Sequence, residues 1–371
     1  MKYVSLETVC DILDSQRVPI TASERTKGDY PYYGANGVQD YVADFIFDDE
    51  LVLLAEDGGN FGSKDRPIAY RVSGKCWVNN HAHVLKPKEC IDVDYLCYSL
   101  MFYDTTGIVN GATRQKLTQA AMRQMSIPMV SMDEQKEIVL KLSKVETLIS
   151  ERKEQLNKLD ELVKSRFIEM FGDPVRNEKE WSRLTLGDIC EIGSSKRVFE
   201  KDYVPVGIPF FRTKEIVELS KGNKISTELF ITEEHFEILK QAYGVPKKND
   251  LLISAVGTIG TIWIVNGEFE FYFKDGNLIQ IKSSENFNSV FMKYLLDELI
   301  ANYKKEMSTG TAYSALTIAG LKKMLVYDVP LDLQNQFAEF VEQTDKLKFE
   351  VKEALEKLEI LKKSLMQQYF G

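Results

Sequence analysis

Residues Gly111–Gly172 recur, with no insertion, as Gly310–Gly371, at a constant offset of 199 positions. Of the 62 paired residues, 20 are identical, and most of the others keep their apolar or polar class. A gapless repeat of this length is one structural unit used twice, which excludes a fold built on a single unrepeated core. Each copy runs from a loop (GATRQKLT, GTAYSALT) through a turn into a long charged stretch, and each ends in Phe-Gly. A fainter echo lies upstream: VSLETVCDI at Val4–Ile12 matches LTLGDICEI at Leu184–Ile192, offset 180. The chain reads as two related halves, each a globular segment followed by a helix.

The stretch Met132–Met170 predicts one helix. Ile138, Leu142, Val145, Ile149, Leu156, Leu159, Val163 and Met170 alternate in threes and fours, with Arg152 and Arg166 at seam positions, the pattern of a heptad seam. Gly172 and Pro174 stop it. The twin carries Phe337, Val341, Leu347, Val351, Leu355, Leu358, Leu361, Leu365 and Tyr369. At 1.5 Å per residue each helix is about 50–55 Å long. A seam of that length cannot be buried against one small domain, and the simplest partner is its own duplicate. The seam alone leaves parallel and antiparallel pairing open. The chain path favours antiparallel, because the whole segment 173–309 lies between the helices.

The globular parts predict mixed structure. YPYYGANGVQDYV, ELVLLAEDGGNFG, PIAYRVSG and KCWVNNHAHVLKP read as strands separated by Gly and Asn turns, followed by a helix over Asp92–Tyr103. The second half repeats the plan with GIPFFRTKEI, DLLISAVGTIGTIWIV and EFEFYFKDGNLIQIKS, then a helix over Ser289–Glu306. The expected fold is α+β: two globular domains related by a pseudo-twofold axis, separated by two long antiparallel helices that form a coiled-coil spacer. The boundaries read 1–131, 132–171, 172–330 and 331–371.

At 371 residues the chain exceeds one ordinary core, in line with two domains plus connectors. No run of 18 apolar residues occurs, so no helical membrane span is expected. The N-terminus lacks an apolar signal core and reads as a first strand or helix. Cys10, Cys76, Cys90, Cys97 and Cys190 are odd in number and show no CxxC spacing. Reduced thiols in a cytoplasm are the expectation, with neither a disulfide scaffold nor a zinc site. The net charge of −9 speaks against a free-standing DNA binder. If DNA is the ligand, local patches must meet it, and partner subunits must supply much of the phosphate neutralisation.

The motifs suit recognition more than catalysis. GGNFGSK at Gly58–Lys64 lacks phosphate-loop spacing. No [N/D]PPY or FxGxG occurs for adenine methylation. His81 and His83 could share a strand face, but no third metal ligand is evident, and Glu56 with Asp57 reads as a pair of solvated loop charges. What remains is polar and aromatic groups on Gly-rich turns: Tyr32, Tyr33 and Asn36; Lys64 and Arg66; Asn79, Asn80 and His81; then Arg114, Gln115 and Lys116 in the repeated loop. The second half offers Lys196 and Arg197, Arg212 and Lys214, Thr258, Lys274 and Asn277, with Tyr313 and Ser314 in its copy of the loop. Asn and Arg make bidentate contacts with adenine and guanine edges, and Lys, Arg and Ser/Thr meet phosphates.

In its duplicated architecture, its Thr113–Ile138 run (TRQKLT through SIPMVSMDEQKEI), its helix ending in FGDP, and PYYGANG, AEDG and VNNHAHVL, the chain resembles the specificity subunit of type I DNA restriction–modification systems. The second copy departs at Leu333 and Asn335, where the first has Glu134 and Lys136. The resemblance implies a non-catalytic reader of double-stranded DNA. Each globular domain would recognise half of a split target, and the helices would fix the gap and dock two modification subunits. Leu142, Val145, Ile149, Leu156 and Leu159 would form the seam with Val341, Val351, Leu355 and Leu358. S-adenosylmethionine, ATP and Mg are implied on the modification and restriction subunits, and no cofactor on this chain. The other readings are a specificity domain of a related phage-defence methyltransferase system, a standalone enzyme with a degenerate site, and a coiled-coil adaptor without DNA affinity.

Overall fold

The computed structural model describes residues 2–111, 115–225, 227–308 and 316–371. They group into two compact units, Met1–Lys153 with Lys352–Gly371, and Glu154–Val351.

A six-stranded sheet forms the body of the first unit, in the order Cys10–Ile12, Ala82–Pro87, Phe47–Ala55, Ala69–Val78, Lys27–Gly34, Gly37–Val42. Neighbours are antiparallel except Lys27–Gly34 with Ala69–Val78, which is parallel. The run LVLLA at Leu51–Ala55 is buried throughout, because both of its faces are covered. Alternation divides it: Val52 and Leu54 pack with Tyr95, Leu96 and Leu100, whereas Leu51 and Leu53 pack with Val72, Cys76 and Val84. The helix carrying those partners is Val93–Met101, and the Asp92 carboxylate caps it by accepting from the Asp94 and Tyr95 amides. YPYYGANGVQDYV is a hairpin, its strands joined by Ala35 and Asn36.

The second unit holds a four-stranded sheet (Ile192–Gly193, Leu278–Ile281, Leu251–Ser254, Ile262–Ile264) and a three-stranded one (Phe230–Ile231, Ile208–Phe211, Tyr272–Phe273). GIPFFRTKEI is a strand only as far as Phe211; Thr213–Ser220 is a helix. The Glu215 carboxylate accepts the Arg212 amide at 2.8 Å, a local capping bond that outweighs the apolar alternation. The helix Ser289–Ser308 follows as expected.

The two offsets of the repeat meet in one ladder. Val4 pairs with Ile127 in the first unit, and Leu184 with Val326 in the second. Those residues are 180 and 199 positions apart, so the faint upstream echo and the strong downstream one encode one two-stranded sheet in identical register.

The long helices are Met132–Phe171 and Leu331–Phe370, 40 residues each, hence about 60 Å. Ser131 and Glu134 form a capping box at the first start. At its end Gly172 adopts φ +78° with its amide on the Ile168 carbonyl, a left-handed C-cap that a Cβ would strain. Within the first unit the segments run antiparallel, since Glu146 meets Lys362 and Lys153 meets Glu359. Within the second, Asp160 meets Lys348, and Phe167 and Phe171 pack on Phe337.

Leu142, Val145, Val341 and Val351 are buried, and Ile149, Leu156, Leu159, Leu355 and Leu358 are half-buried. Leu347 and Leu361, expected on the seam, are exposed. The unbroken three–four alternation runs instead through Val341, Thr344, Lys348, Val351, Leu355, Leu358, Lys362 and Leu365. Thr344 is buried, and the two lysines lay their stems along the seam while their ammonium groups reach Asp160 and Glu146. Near its end the first helix departs from the heptad. Val163, Phe167 and Phe171 step by four, and all three enter the second unit's core.

Candidate nucleic-acid interface

In the first unit the turn Glu56–Gly58 gathers five of the expected reading residues. The Asn36 amide donates to the Gly58 carbonyl at 3.0 Å. His81 Nδ1 lies 2.6 Å from Asp57 Oδ1, and the Glu56 amide donates to the His81 carbonyl. From the other side the Gly58 amide reaches the Gln115 carbonyl at 3.2 Å, and Lys116 Nζ sits 3.0 Å from Glu56 Oε1. Asn80 is exposed beside His81. Asn36, Asn80, His81, Gln115 and Lys116, distant in sequence, therefore share one rim. Lys64 and Arg66 are exposed on the neighbouring 61–66 turn.

Two of the expected residues turn inward. Tyr32 is 1 % exposed; its hydroxyl donates to the Ile20 carbonyl and Arg25 stacks on its ring. Asn79 is buried, donating to Gln39 and accepting the His81 amide, so it braces the turn. Arg114, Tyr313 and Ser314 lie outside the described residues.

Beneath the rim lies a charged network that the residue pattern did not announce. Glu56 is not a solvated loop charge. Its Oε2 accepts from Arg17 Nη1 at 2.7 Å, and Arg17 also donates to the Ala82 carbonyl. His83, fully buried, places Nδ1 2.6 Å from Asp14 Oδ2 and donates from Nε2 to the Leu117 carbonyl at 2.9 Å. Asp14 accepts further bonds from the Val84 amide and the Gln119 side chain. Burial alone would raise the Asp14 carboxyl, but the bonds from His83, Val84 and Gln119 outweigh it and hold it below the usual range. Glu56 is likewise lowered, burial being outweighed by Arg17 and Lys116. Asp14, Glu56 and His83 stand close enough to ligate a metal, yet their facing atoms are already engaged by Arg17, Lys116 and each other. The network is an ion-pair lock. One signal was available: Arg17 is the counterpart of Arg197 at offset 180.

In the second unit, Lys214, Thr258 and Asn277 line a cavity of about 420 Å³ with Thr213, Val217, Glu218, Val256 and Gly257. Lys196 and Arg197 are exposed; the Lys196 ammonium lies over the Tyr243 ring and Arg197 pairs with Asp275 at 2.9 Å. Lys274 is half-buried, its amide bonded to the Phe211 carbonyl. Arg212 is committed elsewhere, bridging buried Glu215 and Glu228, and Lys214 shares Glu228. Amides, an imidazole and ammonium groups on turns present donors and acceptors of the kind that base edges and phosphates take. Among the described residues no helix is long and apolar enough to cross a membrane.

The comparisons agree with one another. Residues 1–160 and 178–361 match the profile of the type I restriction modification DNA specificity domain. A Haemophilus influenzae protein named as a type I restriction enzyme specificity subunit is 32% identical over 360 residues, covering 96% of this chain and 90% of its own. The MjaVIII specificity subunit of Methanocaldococcus jannaschii is 24% identical, covering 95% and 88%. In fold, the chain resembles the crystal structure of a type I restriction–modification S subunit from M. genitalium, with TM-score 0.61, 15% identity and coverage of 100% and 96%. This chain belongs to the type I restriction–modification DNA specificity family.

Proposed function

We propose that this specificity subunit reads a bipartite DNA target, one half-site per globular domain, and performs no chemistry itself. Domain 1 comprises residues 1–131 and domain 2 residues 172–330. The helices 132–171 and 331–371 form an antiparallel spacer that sets the gap and docks two modification subunits. Those partners carry S-adenosylmethionine for adenine methylation, and restriction subunits bring ATP and Mg for cleavage. The complex works in the cytoplasm.

One observation carries this reading: the loop–helix unit is duplicated, and its helices meet antiparallel in each unit, through Glu146–Lys362 in one and Asp160–Lys348 in the other. Duplicated readers on antiparallel helices are related by a pseudo-twofold, which presents opposite DNA strands to two identical partners. The rim residues Asn36, Asn80, His81, Gln115 and Lys116 read the first half-site, with Lys64 and Arg66 on its backbone. Lys196, Arg197, Lys214, Thr258, Lys274 and Asn277 serve the second. The acidic chain is tolerable because the partners clamp the duplex.

The test is a swap of residues 173–309 for the matching segment of another such subunit, followed by mapping of methylated sites in cells that carry the modification partner. One half-site should change and the other should persist. Change in both halves, or in neither, refutes the reading.

A further inference from the structure

Among the described residues, the buried network of the first unit has no counterpart at the equivalent positions of the second. At the repeat offsets Asp14 becomes Ser194 and Gln119 becomes Ile318. The ladder Ile12–Leu85–Val52 of the first sheet matches Ile192–Ile281–Leu251 of the second, so Glu56 becomes Ala255 and His83 becomes Ile279, buried among apolar neighbours. Only Arg17 persists, as Arg197, and it pairs with Asp275 instead. Yet both halves carry the repeated loop and helix. A network present in one copy alone is therefore not what the shared fold requires.

Its position says what it holds. His83 Nε2 bonds the Leu117 carbonyl, and the Leu117 amide bonds the Glu56 carbonyl at 2.7 Å. Gln119 reaches Asp14, and Lys116 reaches Glu56. Leu117 itself is fully buried. Four bonds thus clamp the segment 116–119 to the sheet, directly after the rim residues Gln115 and Lys116 and ahead of the long helix. Strand 82–87 carries His83 two residues beyond His81, so one element positions both sides of the rim.

We propose that His83 is a positioning residue for DNA reading by the first domain: it pins the Leu117 carbonyl, and through it the register of Gln115 and Lys116 against His81 and Asn36. This inference rests on the half-site reading above. An apolar chain at position 83 would fill the space and keep the fold, yet strip the Leu117 carbonyl of its His83 bond and leave Asp14 with only Val84, Gln119 and Arg17. The strand 116–117 would then be free to shift while the second domain stays as it was.

The test uses the full subunit assembled with its modification partner. His83→Leu, which copies the apolar character of the second half, and the milder Gln119→Leu are compared with the parent for discrimination against single-base changes in each half-site, by competition gel shift. The domain swap assigns the half-sites beforehand. Both variants should lose at least fivefold discrimination in the first domain's half-site and less than twofold in the other, with His83→Leu the larger. Equal losses in both half-sites, or no loss in an assembled complex, would overturn the inference. Should His83→Leu fail to assemble, Gln119→Leu decides alone by the same criterion. If the parent shows no two-part recognition, the half-site reading itself has failed.

Discussion

Gln135 and Gln334, 199 positions apart, make the same pair of bonds in the two halves. Each side-chain carbonyl accepts an amide that opens the preceding helix, Asp92 in one and Asn288 in the other, both at 2.8 Å. Each side-chain amide donates to a carbonyl just ahead of its own long helix, Val130 at 3.0 Å and Val329 at 2.8 Å. Both glutamines are buried, so they rivet each long helix to a globular core. Gln135→Met or Gln334→Met strands those backbone groups, and each should cost about 1–3 kcal/mol. Urea denaturation checks it, and the two losses should be similar because the bonds are.

Acid should act on the first unit through Asp14. Its carboxyl is held below the ordinary 3.8, so the stability it contributes is whole above that value and drains as pH falls through its lower folded value. Asp14→Asn removes this dependence. Between pH 5 and pH 3 the urea midpoint of the parent should fall further than that of the variant. Parallel curves would show that Asp14 is not the linked group.

Thiol chemistry should single out one cysteine. Burial pushes Cys10, Cys76, Cys97 and Cys190 up to about 12, whereas Cys90 is exposed. At pH 8 roughly one part in ten thousand of each of these four thiols is ionised. Iodoacetamide should modify Cys90 in the native protein and the other four only in denaturant, as peptide mass mapping would show.

Leu148 and Leu361 are exposed on the paired helices of the first unit. Each sits one residue before a seam position, and apolar residues there beside a full seam belong to bundles of more than two helices. If modification subunits dock on these helices, Leu148→Glu with Leu361→Glu should weaken their capture about tenfold, or about 1.4 kcal/mol. The melting temperature should barely move, since neither side chain is buried.

Much of this was legible in the sequence because repetition and periodicity are properties of order alone. The equivalence of Val4 with Leu184 and of Ile127 with Val326 follows from two offsets, though not their pairing across the ladder, and the first long helix ends one residue before its Gly172 stop. Leu347 and Leu361 misled because hydrophobicity was read without phase: the neighbouring Lys348 and Lys362 bury stems and pair their charges. The Thr213–Ser220 helix was hidden behind an alternating run, since its start depends on one Glu215 cap. Tyr32, Asn79 and Arg212 looked like loop readers because sequence gives residue type without direction; the structure turns each toward an internal partner. The His83 network joins residues 14, 17, 56, 83, 116 and 119, a set that no local spacing marks.

The proposed helical ruler is open to one direct measurement. Seven residues, one full heptad, are inserted at the repeat-equivalent positions after Gln155 and after Ala354, which preserves the seam on both helices. At 1.5 Å per residue the spacer grows by about 10 Å, or about three base pairs. Methylation mapping should find both half-sites unaltered and the gap between them about three base pairs longer. A constant gap, or altered half-sites at the old gap, would contradict the spacer role of the paired helices.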